Sequence, residues 1–379
     1  MLKLISDMKY FGMVIKTLLG IGIFASLAMV GSCSKDDEQI DRFDRKSLLR
    51  NIAQNQILTS YDIFGQEAMA LSNTAIAFSK DISEANLNTL QDQWLKAAVA
   101  WKKAEIFNLG PVDQLLLKTS IDNWPTNTFT IEEAITNGSS INSEYIETLG
   151  STSKGIPAIE YLLFDENNDK QNIINGFTDS QNRIDFLLAL CENLVYIANT
   201  LYDAWEPTNG NYFNTFVNAD GKDVGSSVNM LANELIFLTE IVKNQKLGIP
   251  LGKKSLGTPL PNNVEAKRSR ASLSFIKENI LSIEAVFLGG NSTGFDDYLD
   301  ELDAKYLDDQ MLSEAIKDQF SNVKTALNGI DNTLFDALTD DTIKVEAAYQ
   351  ELQKLVILLK TDMISSLGLL VTFSDNDGD

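Results

Sequence analysis

Apolar residues recur along this chain at three- and four-residue intervals, the spacing of helices that bury one face. Ile57, Tyr61, Phe64, Ala68, Leu71, Ala75 and Phe78 form one such stripe. Ile184, Leu187, Cys191, Leu194, Ala198, Leu201 and Trp205 form another. The pattern continues through Val228, Leu231, Leu235, Leu238 and Val242, and then through Leu273, Ile276, Ile280, Ile283 and Phe287. It returns at Ala348, Leu352, Leu355 and Leu359. Strand-like alternation is scarce, and the last apolar piece, Leu369 to Phe373, is too short to define a sheet. The expected fold class is all-α. The chain is large for one core, so two helical-bundle domains are expected, 46–206 and 207–379, meeting at the turn-rich stretch Glu206-Pro-Thr-Asn-Gly210.

The first residues depart from this pattern. Lys3, Lys9 and Lys16 precede an apolar run from Thr17 to Val30, closed by Gly31, Ser32 and Cys33. A basic start and a short apolar run ending in small residues mark residues 1–32 as a secretory signal rather than a permanent membrane span. Val30-Gly-Ser-Cys33 resembles the lipobox of bacterial lipoproteins, which implies that Cys33 is lipidated, becomes the new first residue and anchors the protein to a membrane. Residues 33–45 then form a tether. Its run Ser34-Lys-Asp-Asp-Glu38 reads equally as the signal that sends some envelope lipoproteins to the cell surface and as a solvated linker.

Composition narrows the function classes. The formal charge of −22 becomes about −24 once residues 1–32, with three lysines and one aspartate, are removed. Such a chain repels nucleic acid and collects cations. It contains no histidine. That excludes HExxH zinc sites, Ser-His-Asp and Cys-His catalysis, and any imidazole-bound metal. A metal held here would need oxygen ligands, which suits Ca²⁺, Mg²⁺ or ferric iron. Cys191 is the one cysteine besides Cys33, and its place on an apolar stripe makes it a small core residue.

Three groups of polar residues stand out. In Lys154-Gly-Ile-Pro-Ala-Ile-Glu160, Pro157 suits the first position of a helix, which places Glu160 in the first turn, where the dipole favours a negative charge. Glu105 continues the apolar face Leu90, Trp94, Ala97 and Trp101 just before Gly110-Pro111; a fraying helix end that reaches solvent is the plainer expectation for it. Glu265, Arg268, Ser272 and Asn279 share a polar stripe about 100° around a helix from its apolar one, either a solvated face or the wall of a polar cleft between bundles. The ending Ser374-Asp-Asn-Asp-Gly-Asp379 is oxygen-rich but lacks the bidentate glutamate of a Ca²⁺ loop, and reads as an acidic tail or turn.

An ordered set of short motifs also carries a resemblance. Trp94…Trp101…Glu105-Ile-Phe-Asn-Leu-Gly110-Pro-Val112 is followed by Asp122-Asn-Trp-Pro125, Gly155-Ile-Pro-Ala-Ile-Glu160 and Lys246-Leu-Gly-Ile-Pro-Leu-Gly252. Val264-Glu265, Ser269, Ser272 and Asn279 come next, and the acidic ending closes the set. Together they resemble the imelysin (imelysin-like peptidase) family over roughly residues 45–379. The resemblance implies an all-helical protein of two bundles, anchored in the bacterial cell envelope at the outer membrane and associated with iron acquisition. Its partners would then be the membrane and envelope uptake proteins, and its ligand an iron-containing compound or a divalent cation. The family signature, Gly-x-His-x-x-Glu, lies in a cleft between the bundles. Gly155 and Glu160 match it, but Pro157 stands at the histidine position, and proline offers neither a lone pair to a metal nor a proton to shuttle. A non-catalytic binding protein with Glu160, Glu105, Glu265, Arg268 and Ser272 around its cleft is therefore the favoured expectation. A metallopeptidase of the imelysin type and a surface adhesin or scaffold are the rivals.

Overall fold

A computed structural model describes residues 41–138 and 140–373. Cys33, the signal at 1–32, most of the tether and the ending 374–379 lie outside the described residues. All regular structure among the described residues is helical, apart from an isolated bridge between Lys305 and Met311.

Eight helices organise the fold: α1 (Leu58–Lys80), α2 (Glu84–Ala104), α3 (Gly155–Leu163), α4 (Gln181–Trp205), α5 (Ser227–Glu240), α6 (Ser272–Phe287), α7 (Leu312–Asn328) and α8 (Thr342–Ile357). Several start where the sequence supplies an N-cap. The side chains of Ser83, Ser180 and Ser226 accept the backbone N–H of Asn86, Arg183 and Asn229, each cap stabilising its helix by about 1 kcal/mol. Every residue of the five apolar stripes is buried. Fully burying a large apolar side chain stabilises by roughly 1.5–3 kcal/mol, so these faces dictate which sides of the helices meet. α1 packs on α2 and α4, α2 on α6, α5 on α6, and α7 on α8. Residues from Phe43 onward form one compact unit, in which helices from both sides of the turn at 206–210 pack on one another.

α4 is long and apolar enough to cross a membrane, but it is largely covered within the unit, as a core helix would be. Its Cys191 is free and buried, and burial pushes the thiol up to about 12, so it is inert packing. The apolar piece near the end forms no strand. Leu370 and Thr372 instead donate their N–H groups to Asn229 and Asn233 of α5, and Asn233 donates back to the Leu370 carbonyl.

Candidate functional site

Two helices from distant parts of the sequence build the site. Trp94 and Trp101 on α2 are buried, and on α6 Phe275 lies 6.0 Å from Trp94, ring centroid to centroid. Polar groups then clamp the pair. Asn279 of α6 donates to the Lys102 carbonyl and to Glu105 Oε2 at 2.9 and 3.0 Å, and Ser282 donates to the Lys103 carbonyl.

Around that clamp lies a buried ion network. Lys102 has no solvent exposure, and its Nζ bonds Asp122, Glu265 Oε1 at 2.6 Å and Glu105 Oε2 at 3.2 Å. Lys246 lies on a π-helical stretch, Ile241–Gly248, that continues α5. Its Nζ bonds Asn279 Oδ1 at 2.8 Å and Glu105 Oε2 at 3.1 Å. It also lies 3.1 Å from Glu265 Oε2, close enough for charge attraction but without hydrogen-bond geometry. Lys118 adds a longer contact to Glu105, 3.8 Å. Burial opposes the charge on Lys102, yet Asp122, Glu105 and Glu265 hold its pKa well above the ordinary range. Burial likewise raises Glu105, but Lys102, Lys246 and Lys118 outweigh it and hold the carboxyl well below its usual value. At Asp122 burial wins, and the neighbouring carboxylates of Glu265 and Glu105 reinforce it against Lys102, so that pKa is raised.

Glu160 sits beside this network. Gly155 opens α3 at φ +71°, a left-handed conformation, and a Cβ there would lie 2.1 Å from the Ile121 carbonyl oxygen, so only glycine fits. The helix therefore starts two residues earlier than expected. Pro157 is its third residue, still without need of an N–H, and Glu160 lies beyond the first turn, outside the reach of the dipole argument. Glu160 is 4 % exposed, and its Oε1 accepts the backbone N–H groups of Arg268 and Ser269 at 3.0 and 2.8 Å. Burial pushes its pKa up, and those two residues pull it only partly back. Among the described residues no lysine or arginine forms an ion pair with it.

Two expectations need correction. Glu105 does not fray into solvent; it is 5 % exposed, because three lysines give its charge a buried home. Glu265, Arg268, Ser272 and Asn279 do not share a solvated helix stripe. α6 begins only at Ser272, so Glu265 and Arg268 lie in the preceding turns, and Glu265, Ser272 and Asn279 are all buried. Ser272 donates its hydroxyl to the Glu265 carbonyl and fixes that turn.

A cavity of about 440 Å³ opens over Glu160. Asp122, Glu160 and Glu265 supply its acidic groups, and Trp94, Trp124 and Phe275 its aromatic walls. Pro157 lines it too, as do Lys267 and Arg268. Those two cations are both engaged by Glu166, at 2.8 and 3.1 Å, and Arg268 also stacks on Tyr161. Of the residues singled out from sequence, Glu160, Glu265 and Arg268 therefore meet at the cavity, whereas Glu105 and Ser272 stand behind it. Lys102, Asp122 and Lys246 escaped that reading. The signal for Lys102 was present: it falls one turn after Ala98 and three residues before Glu105, on the edge of a buried face. No group of three or more Asp, Glu or Cys side chains among the described residues is arranged to hold a metal ion. The cluster Glu105, Asp122 and Glu265 is instead filled by ammonium groups.

The model of the Imelysin family, which carries a peptidase label, matches residues 57–359. No protein of curated function matches the sequence. A solved imelysin-like protein from Psychrobacter arcticum is similar in structure at a TM-score of 0.71 and 19% identity, the match covering 87% of this chain and 97% of that one. A second solved structure, of a putative iron-regulated protein A precursor from Parabacteroides distasonis, is similar at a TM-score of 0.68 and 20% identity, with 85% of this chain and 95% of that one covered. At such identities the two likenesses establish the fold.

Proposed function

The chain is a member of the imelysin family, and on that premise we propose that it is a non-catalytic binding protein of the bacterial cell envelope, tethered to the outer membrane by a lipid on Cys33 and serving the capture of a cationic ligand linked to iron acquisition. The observation that carries this reading is the cavity over Glu160. It offers a buried carboxylate that forms no ion pair among the described residues, and its other carboxylates are already matched by a lysine ammonium. A chain at −22 draws cations toward such a site. The Parabacteroides protein, by its name, supports the iron link. Against catalysis stands the donor set: the signature histidine is replaced by Pro157, and the nearest general-base candidate, Glu160, is engaged by two backbone N–H groups.

The test is elemental and small-molecule analysis of the protein purified from its own envelope, with a saturable cationic or iron-containing ligand expected. Peptide cleavage by residues 34–379, abolished by a chelator and by Glu160→Ala, would establish the metallopeptidase instead. A protein that carries no ligand and tolerates every cavity substitution would be an adhesin or scaffold.

A further inference from the structure

We propose that the cavity over Glu160 takes an organic cation, an ammonium or guanidinium group on a small apolar body, rather than a bare metal ion; this rests on the cation-capture reading above. Charge matching comes first. Four buried carboxylates, Glu105, Asp122, Glu265 and Glu160, face three lysine ammoniums, Lys102, Lys246 and Lys118. The three lysines pair with the first three carboxylates, and among the described residues Glu160 is left without an ion pair. The rim cations Lys267 and Arg268 form no ion pair with Glu160; both pair with Glu166, and Arg268, which also lies over the Tyr161 ring, attracts Glu160 only at longer range.

The walls then choose between kinds of cation. A metal ion needs several converging oxygens, and here the neighbouring carboxylates are bound to ammonium groups that a metal would have to displace. One carboxylate set among aromatic rings is the recognition chemistry of an organic cation. Phe275 already has this role from within: the Lys102 ammonium lies 5.3 Å from its ring centroid. Trp94 and Trp124 extend the aromatic surface on the cavity side, and Ile156 and Pro157 add apolar wall for a ligand body. About 440 Å³ accommodates a molecule of drug size rather than a hydrated ion alone.

The experiment is calorimetric titration of residues 34–379, which contain the whole compact unit, with benzylammonium, its neutral analogue benzyl alcohol, Ca²⁺ and, without oxygen, Fe²⁺. Benzylammonium is expected to bind at least about tenfold more tightly than benzyl alcohol. Glu160→Gln keeps an acceptor oxygen for the Arg268 and Ser269 N–H groups, and it is expected to abolish that discrimination. Trp124→Ala, which leaves those hydrogen bonds alone, is expected to weaken benzylammonium at least threefold and provides a second arm should the first variant fold poorly. Equal affinity for the cation and the alcohol, or discrimination that survives Glu160→Gln, overturns the proposal. Glu160-dependent binding of Ca²⁺ or Fe²⁺ without benzylammonium overturns the organic cation but leaves cation capture standing. Binding of neither class overturns both.

Discussion

Replacing Lys102 with methionine removes one ammonium and leaves its partners in place. Lys102 has no solvent exposure, and it bonds Asp122, Glu265 and Glu105. After Lys102→Met, Lys246 and Lys118 still serve Glu105, and Lys246 stays near Glu265, but among the described residues the one hydrogen bond left to the Asp122 carboxylate is from the Trp101 indole N–H at 3.0 Å. Breaking a buried ion pair from one side costs about 3–5 kcal/mol, because an uncompensated charge stays buried. An unfolding entropy of about 2.1 cal/mol/K per residue over some 330 residues converts that cost to a fall in Tm of roughly 4–7 °C. The effect has a pH signature. In the parent, Glu105 is held well below its usual pKa, so its contribution is present above the unfolded value and is lost as pH falls through the folded one. In the variant, the stranded carboxylates take up protons in the folded state while the unfolded chain is still ionised. The deficit against the parent is therefore larger at pH 8 than at pH 5. Calorimetric melts of both proteins at the two pH values measure it. A loss under about 1 °C, or the same loss at both pH values, would refute the claim that this ammonium neutralises the cluster.

Glu234 of α5 is predicted to oppose stability at alkaline pH. Its Oε2 is sealed from solvent without a hydrogen-bond partner, and burial pushes its pKa from 4.5 to about 7, with Lys118 pulling it down and Asp113 pushing it up. The folded state thus holds a proton that the unfolded chain has lost between those values, and stability from this group declines as pH rises through about 7. Glu234→Gln should raise stability at pH 8 by up to roughly 3 kcal/mol and leave it unchanged at pH 4; equal effects at both would contradict the assignment. Pro157→His should restore an imidazole one turn before Glu160, at the cavity wall, and give a Zn²⁺ affinity that the parent lacks. Calorimetry showing tight Zn²⁺ binding by the parent, or none by the variant, would count against it. Cys33→Ser should abolish incorporation of labelled fatty acid and release the protein from the envelope; label retained on the variant would show that the anchor lies elsewhere.

Much of the fold was legible because helical burial is a local property. Whether Leu187, Cys191 and Leu194 share a face depends only on their spacing, and each stripe read that way is buried. The ending Leu369 to Phe373 was too short to define a sheet, and it forms no strand: asparagines of α5 occupy backbone groups that a strand would have paired. Helix starts were less legible. Pro157 suggested a first position, whereas the close approach of Gly155 to the Ile121 carbonyl, a contact across the fold, set the start earlier.

The sequence by itself determined the helical architecture, the acidic character and the absence of imidazole chemistry, since these follow from spacing and composition. It also marked Glu105, Glu160 and Glu265 as unusual. Only the tertiary structure decided what those carboxylates are for. Lys102 meets Glu265 across 163 positions of chain, and Lys246 meets Glu105 across 141. Charge energies depend on distance and burial, and neither is fixed by the neighbours of a residue in sequence. Read alone, Glu105 had at most Lys102, three residues earlier, as a counter-ion, and a helix end in water was the plainer expectation. Once folding brings Lys246 to join Lys102, one helical turn away, the same carboxylate is stable inside, and Glu160 at the cavity is left without an ion pair among the described residues.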